Sequence, residues 1–157
     1  MSKSTPATRA LAQSGLPHTL HTYDYQPDAA KVGLQAAEAL GEPAHRVLKT
    51  LIVKVDGKPA CIMVPSDREV GMKKVAAAFS AKAATMMPPA DAERITGYKV
   101  GGVSPFGQKR KLPTAIEATA LDEPYVYLNG GQRGLQVRMA PDDARSAADA
   151  VVAQLIA

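Results

Sequence analysis

Residues 47 to 65 constrain the fold more than any other stretch. Val47 to Val55 is an apolar, β-branched run, Asp56-Gly57 is a strong two-residue turn signal, and Lys58 to Pro65 resumes the same character. A β-hairpin is predicted there, with both strands central in their sheet. The other segments alternate around it. Ser4-Thr5-Pro6 opens a helix over Ala7 to Ser14 that Gly15 and Pro17 close, and Leu20 to Tyr25 reads as a strand ended by Pro27. Gly33 to Leu40 reads as a helix stopped by Gly41 and Pro43, and Gly71 to Phe79 as another. Ala83 to Met87 is a short strand and Ala90 to Thr96 a helical turn before Gly97. Residues 97 to 113 form a long glycine, proline and lysine-rich loop. Thr114 to Ala118, Tyr125 to Leu128 and Leu135 to Met139 follow as strands, and Ala140-Pro141-Asp142-Asp143 opens a final helix. This order predicts a mixed α/β fold, a mixed sheet with helices around it, in one domain over residues 1 to 157.

Composition agrees with one globular core. The 157 residues are 46% hydrophobic and 22% charged, which excludes disordered, collagen-like and disulfide-scaffold classes. Cys61 is the single cysteine, so no internal disulfide or cysteine cluster can form, and a reducing cytoplasm suits it. Met1 to Pro6 lacks the apolar core of a secretory signal, and no stretch is long and apolar enough to span a membrane. The net charge of +4 favours a polyanionic partner only weakly.

Lys49 is the residue that most invites a chemical role. Period-two geometry places it on the face of Leu51, Val53 and Val55, with Lys54 opposite, so an ammonium points toward the apolar side. A lysine there is stable at a cleft where it meets an anionic or carbonyl-bearing ligand, or at a strand start where it snorkels to water. The second candidate is the loop Gly97-Tyr98-Lys99-Val100-Gly101-Gly102-Val103-Ser104-Pro105-Phe106-Gly107, whose glycines let backbone N–H groups approach a carbonyl or oxyanion; a mobile surface loop has the same composition. Gln108-Lys109-Arg110-Lys111 beside it is a phosphate-binding cluster or a solvated face. Asn129-Gly130-Gly131-Gln132-Arg133-Gly134 reads first as a hairpin turn. His18, His21 and His45 lack zinc-site spacing, no nucleotide-binding glycine motif occurs, and no GxSxG elbow surrounds Ser66, Ser80 or Ser104. Neither a metal nor another cofactor is expected. Cys61 lies mid-strand in apolar company, and the methionines, Met86-Met87 included, read as core fillers.

Taken in order, His21-Thr22-Tyr23-Asp24, Ala36-Ala37-Glu38-Ala39-Leu40-Gly41, Lys49-Thr50-Leu51, the Gly97 to Lys109 segment and Gly130-Gly131-Gln132-Arg133-Gly134-Leu135 resemble the YbaK/EbsC branch of bacterial aminoacyl-tRNA deacylases, the Cys-tRNA(Pro) deacylases. The resemblance implies the fold of the editing domain inserted in prolyl-tRNA synthetases. It also implies a site of an essential lysine, Lys49, and a GxxxP loop, Gly101 to Pro105 with Gly102 and Ser104 inside it. Tyr23, Thr50, Gly130, Gly131 and Arg133 match pocket positions of the family, and Lys109, Arg110 and Lys111 are assigned to tRNA. In that branch the substrate's thiol attacks its own ester, so the protein supplies position and charge stabilisation. The implied partners are an aminoacyl-tRNA, that of tRNA(Pro), and prolyl-tRNA synthetase as a candidate third component; neither DNA nor a membrane is implied. Two rivals stay open: deacylation of Ala-tRNA(Pro), and a catalytically idle module that binds a synthetase or tRNA.

Overall fold

Asp56 and Gly57 both take positive φ, 49° and 80°, as the tight turn between two twisted strands requires. The strands it joins, β2 (Leu48–Val55) and β3 (Lys58–Pro65), pair antiparallel along their whole length, from Leu48 opposite Pro65 to Val55 opposite Lys58. This computed structural model describes residues 4–27 and 32–157, so the first three residues of the N-terminal stretch fall outside it. Before the hairpin lie helix α1 (Pro6–Ser14), strand β1 (Thr19–Thr22) and helix α2 (Val32–Leu40). After it come α3 (Met72–Ala78), β4 (Ala84–Met86), α4 (Pro89–Thr96), β5 (Thr114–Glu117), β6 (Val126–Asn129), β7 (Leu135–Met139), α5 (Pro141–Ala147) and β8 (Val151–Ala153).

The fold is mixed α/β, and its strands divide between two sheets. The larger has the order β4-β2-β3-β5-β8, with β3, β5 and β8 parallel, and the smaller is the antiparallel set β1-β7-β6. Among the described residues a parallel bridge, Val47 to Tyr127, joins them. The hairpin is central, as expected, and buried on both faces. Ile62 and Val64 pack with Val53, Val75 and Leu155, whereas Met63 packs with Leu48, Ile116 and Leu128. Two buried faces are why these strands read as continuous apolar runs rather than alternating ones. Each fully buried Ile, Val or Leu contributes about 1.5–3 kcal/mol.

Local signals set the first helix. Thr5 caps α1 in a reciprocal capping box with Thr8, Pro6 occupies the first turn, and Gly15 ends it at φ 73°. Its inner residues Ala7 and Leu11 join the core beneath the small sheet. The C-terminus departs from expectation, because α5 stops at Ala147, Asp149 turns at φ 51°, and β8 pairs with β5. Glu117, 1% exposed, holds this end in place. Its Oε1 accepts the N–H groups of Leu155 (2.7 Å) and Ile156 (3.3 Å), and its Oε2 accepts that of Thr119 (2.8 Å). Burial opposes ionisation of this carboxyl, but those N–H donors outweigh it and hold its pKa below the ordinary value.

Candidate active site

Strand β2 is covered on its outer edge only in part. β4 pairs with Val53 to Val55, and the N–H of Met87 donates to the Ile52 carbonyl (3.1 Å). Past that point β2 opens onto a cavity of about 410 Å³, whose floor is Leu48 to Ile52 with Lys49 and Thr50 among them. Met86, Met87 and Ala92 form one side, Val100, Gly101 and Val103 another, and Asn129 and Gln136 of the small sheet a third. Lys49 is half-buried and lines this cavity. Its strand neighbours do not share one apolar side, since Ile52 and Leu48 are as buried as Val53 and Val55.

The loop after α4 is pinned along its length. Val100 donates its N–H to Glu93 Oε2 (2.7 Å) and accepts from Arg133 Nε (2.9 Å), and the Gly101 carbonyl accepts from Asn129 Nδ2 (3.1 Å). The Gly102 N–H donates to the Lys99 carbonyl (2.8 Å), and Tyr98 donates its hydroxyl to the Phe106 carbonyl (2.6 Å). Asn129 also accepts the Gly131 N–H on Oδ1 (2.7 Å), so one amide ties the two glycine segments together. Gly101 requires its missing side chain. Its φ is 89°, and a Cβ would stand 2.8 Å from Tyr25 Oη and 3.3 Å from Arg133 Nε.

The sequence-predicted residues divide by position. Lys49, Thr50 and Gly101 line the cavity. Gly102 lies just behind the wall against Gln132 and Arg133. Ser104, fully buried, accepts the Phe106 N–H on its hydroxyl (3.2 Å) and braces the loop from inside. Pro105 faces a second cavity, of about 290 Å³, on the far side of the loop. Gly130 and Gly131 pack on Leu135, Thr5 and Tyr98. Arg133 is exposed, stacked at 5.5 Å over Tyr25 while it holds Val100. Tyr23 has its hydroxyl buried beside the Gln136 side chain. Burial raises its phenol pKa, against the smaller effects of the Gln136 side chain and the Gly134 backbone. Lys109, Arg110 and Lys111 are exposed, and Lys111 pairs with Asp149 (2.8 Å).

Sequence reasoning missed Asn129, Gln136 and Met86. Polar positions in an alternating strand normally face water, but here that face of the small sheet turns toward the cavity. Met87 fills the core as expected, packed with Ile52, Cys61 and Leu112 at the edge of the cavity, whereas Met86 is 47% exposed on its wall. Cys61 takes no part: it is fully buried, and burial pushes its thiol up to about 12.

Residues 26–147 match the model of the aminoacyl-tRNA editing domain. The chain belongs to the aminoacyl-tRNA editing domain family. Within it, the chain is 32% identical over 142 residues to the putative Cys-tRNA(Pro)/Cys-tRNA(Cys) deacylase EbsC of Enterococcus faecalis, covering 89% of this chain and 85% of that one. It is also 38% identical over 86 residues to the proline–tRNA ligase of Streptomyces coelicolor, 55% of this chain but only 15% of the ligase. A solved structure of a putative trans-editing enzyme for prolyl tRNA synthetase shares the fold at a TM-score of 0.79, with 20% identity over 98% of this chain and 99% of that one. This member of the editing family is an aminoacyl-tRNA deacylase of the YbaK/EbsC type. Among the described residues no helix is long and apolar enough to cross a membrane.

Proposed function

We propose that this deacylase removes cysteine from mischarged tRNA(Pro), acting in trans, with the substrate's own thiol as nucleophile. The observation that carries the reading is a cavity that, among the described residues, presents a lysine and a pinned glycine loop but no activated protein nucleophile. Cys61 is sealed in the sheet with its thiol pushed up to about 12. The Ser66 hydroxyl donates to the Val47 carbonyl, Ser104 is consumed inside the loop, and among the described residues the Thr50 hydroxyl has no hydrogen-bond partner. Chemistry in such a site comes from the bound ester itself, which the protein positions. The name of the Enterococcus faecalis relative supports cysteine as the amino acid.

In this reaction the thiol sulfur bonds to the ester carbonyl carbon, the bond from that carbon to the ribose oxygen breaks, and the thiol proton passes to that oxygen. The products are tRNA with a free terminal hydroxyl and a cyclic thiolactone, which water opens to cysteine. The Lys49 ammonium offsets charge on the carbonyl oxygen. The Gly102 N–H is taken by Lys99, so the loop's contribution falls to the N–H groups of Gly101 and Val103. Gly102, Ser104, Pro105, Gly130, Gly131 and Arg133 hold the loop in place, and Lys109, Arg110 and Lys111 meet tRNA phosphates. Prolyl-tRNA synthetase joins as third partner, in keeping with the similarity to the ligases. Incubation with tRNA(Pro) carrying cysteine, alanine, serine or proline tests the assignment. Cysteine is expected to leave fastest and proline to be spared; faster release of alanine or proline overturns it.

A further inference from the structure

Helix α1 lines no part of the cavity, yet it is wedged against both glycine segments of the site. Its cap residue, Thr5, is buried and uses its hydroxyl twice. The oxygen accepts the Thr8 N–H (3.1 Å), which caps the helix, and the proton goes to the Gly130 carbonyl (2.5 Å). From there the contacts run on to the cavity wall. The next N–H, of Gly131, donates to Asn129 Oδ1 (2.7 Å), and Asn129 Nδ2 donates to the carbonyl of Gly101 (3.1 Å), which lines the cavity. Gly131 leaves no slack, because a Cβ there would stand 3.0 Å from Thr5 Oγ1 and 2.9 Å from Tyr98 Cε1. The far end of the loop closes on the same helix: a Cβ on Gly107 would collide with the Pro6 carbonyl, and Tyr98 and Phe106 pack with Ala7 and Leu11. This brace lies outside residues 26–147, which match the family model. We propose that Thr5 is a positioning residue of the deacylase, fixing the Gly101 backbone at the cavity through Gly130, Gly131 and Asn129.

This rests on the reading of the Gly101 loop as the wall that meets the ester. Residues 102 to 104 have no helix or strand to hold them, so tie points set the position of this wall. The bonds from Val100 to Glu93 and from Arg133 to Val100 are exposed, and water competes for them. The Thr5 bond is buried, where a hydrogen bond is stronger and its loss leaves a carbonyl without a donor. Valine at position 5 keeps the shape but neither bond, and the turn then relaxes toward another donor. Serine keeps both bonds. Aspartate still accepts the Thr8 N–H, so the helix stays capped, but it has no proton for Gly130 and sets a carboxylate against that carbonyl.

The test measures cysteinyl-tRNA(Pro) deacylation, and the NMR resonances of the Gly101 N–H and the Asn129 side-chain amide, well below every melting temperature. It compares Thr5→Ser, Thr5→Val and Thr5→Asp with Gly15→Ala, which strains the other end of α1 at φ 73° without touching the loop. Thr5→Val and Thr5→Asp are expected to lower kcat about tenfold or more with KM within about threefold, the pattern of lost positioning rather than lost binding, and to move both resonances. Thr5→Ser should rescue the rate to within about twofold of wild type. Gly15→Ala should lower the melting temperature but leave rate and resonances unchanged. A wild-type rate in Thr5→Val overturns the proposal, as does an equal loss in Gly15→Ala, which would trace the effect to helix stability. Should Thr5→Asp fail to fold, the other three variants decide. A wild-type protein that cleaves no cysteinyl-tRNA(Pro) overturns the assignment of that substrate instead; the resonances then decide the tie, and unmoved signals in Thr5→Val overturn it.

Discussion

In the proposed reaction Lys49 acts by charge and position, since the packing at the start of β2 is supplied by Leu48, Met63 and Val64 around it. Lys49→Ala is therefore expected to lower the single-turnover deacylation rate by about 100-fold or more, the scale of losing one preorganised stabiliser of a developing oxyanion. The melting temperature should stay within a few degrees of wild type. A folded variant with wild-type rate would remove Lys49 from the site. Glu117 is the contrasting residue, buried and structural. Its pKa is depressed in the folded state, so its contribution is present above the unfolded-state pKa and is lost as pH falls through the lower folded value. Glu117→Gln should cost about 3 kcal/mol at neutral pH, because the Leu155, Ile156 and Thr119 N–H groups lose a charged acceptor. It should also flatten the acid limb of a stability profile measured by denaturant unfolding. An unchanged acid limb would place that linkage elsewhere.

At the scale of elements, the loop from Gly97 to Phe106 owes its shape to partners far along the chain. Gly101→Ala introduces both a strained φ and a Cβ against Tyr25 and Arg133. The predicted result is a loss of about 10- to 100-fold in kcat/KM with little change in stability, because a small displacement of a positioning element is costly to rate; a wild-type kcat/KM would show that this backbone does not approach the ester. This loop also shows what could be read beforehand. Asp56-Gly57, the Thr5-Pro6 cap and the apolar hairpin are local signals, and each element they predicted is present within a residue or two. Lys49 was legible as a candidate through strand register and the loop through its glycine content, while Gly101 itself was singled out by the family resemblance. The hydrogen bonds that Asn129 and Arg133 donate, which distinguish a pinned loop from a surface turn, join distant segments, so no local pattern reports them. β8 was missed for the same reason: its partner β5 lies more than 30 residues away, and Ala150 to Ala153 carries no turn signal of its own. Gln136 escaped because strand alternation tells which residues share a face but not what that face meets.

For the whole molecule, the modest excess of basic charge matters through its placement. Lys109, Arg110 and Lys111 are exposed beside the pinned loop, although Lys111 is shared with Asp149. Replacing all three with alanine should weaken tRNA binding and lower the slope of log affinity against log salt by about 2, near 0.7–0.9 per lost phosphate contact. An unaltered slope would make the cluster a solvated face. The account as a whole stands on a cavity that positions an ester and lets the substrate's thiol attack. Single-turnover rates for cysteinyl-tRNA(Pro) and seryl-tRNA(Pro), at saturating protein, test that most directly, because the two substrates differ by one sulfur-to-oxygen exchange. The predicted result is a far faster rate for the cysteinyl ester with comparable affinities; equal rates would contradict thiol attack and leave an activated water as the nucleophile.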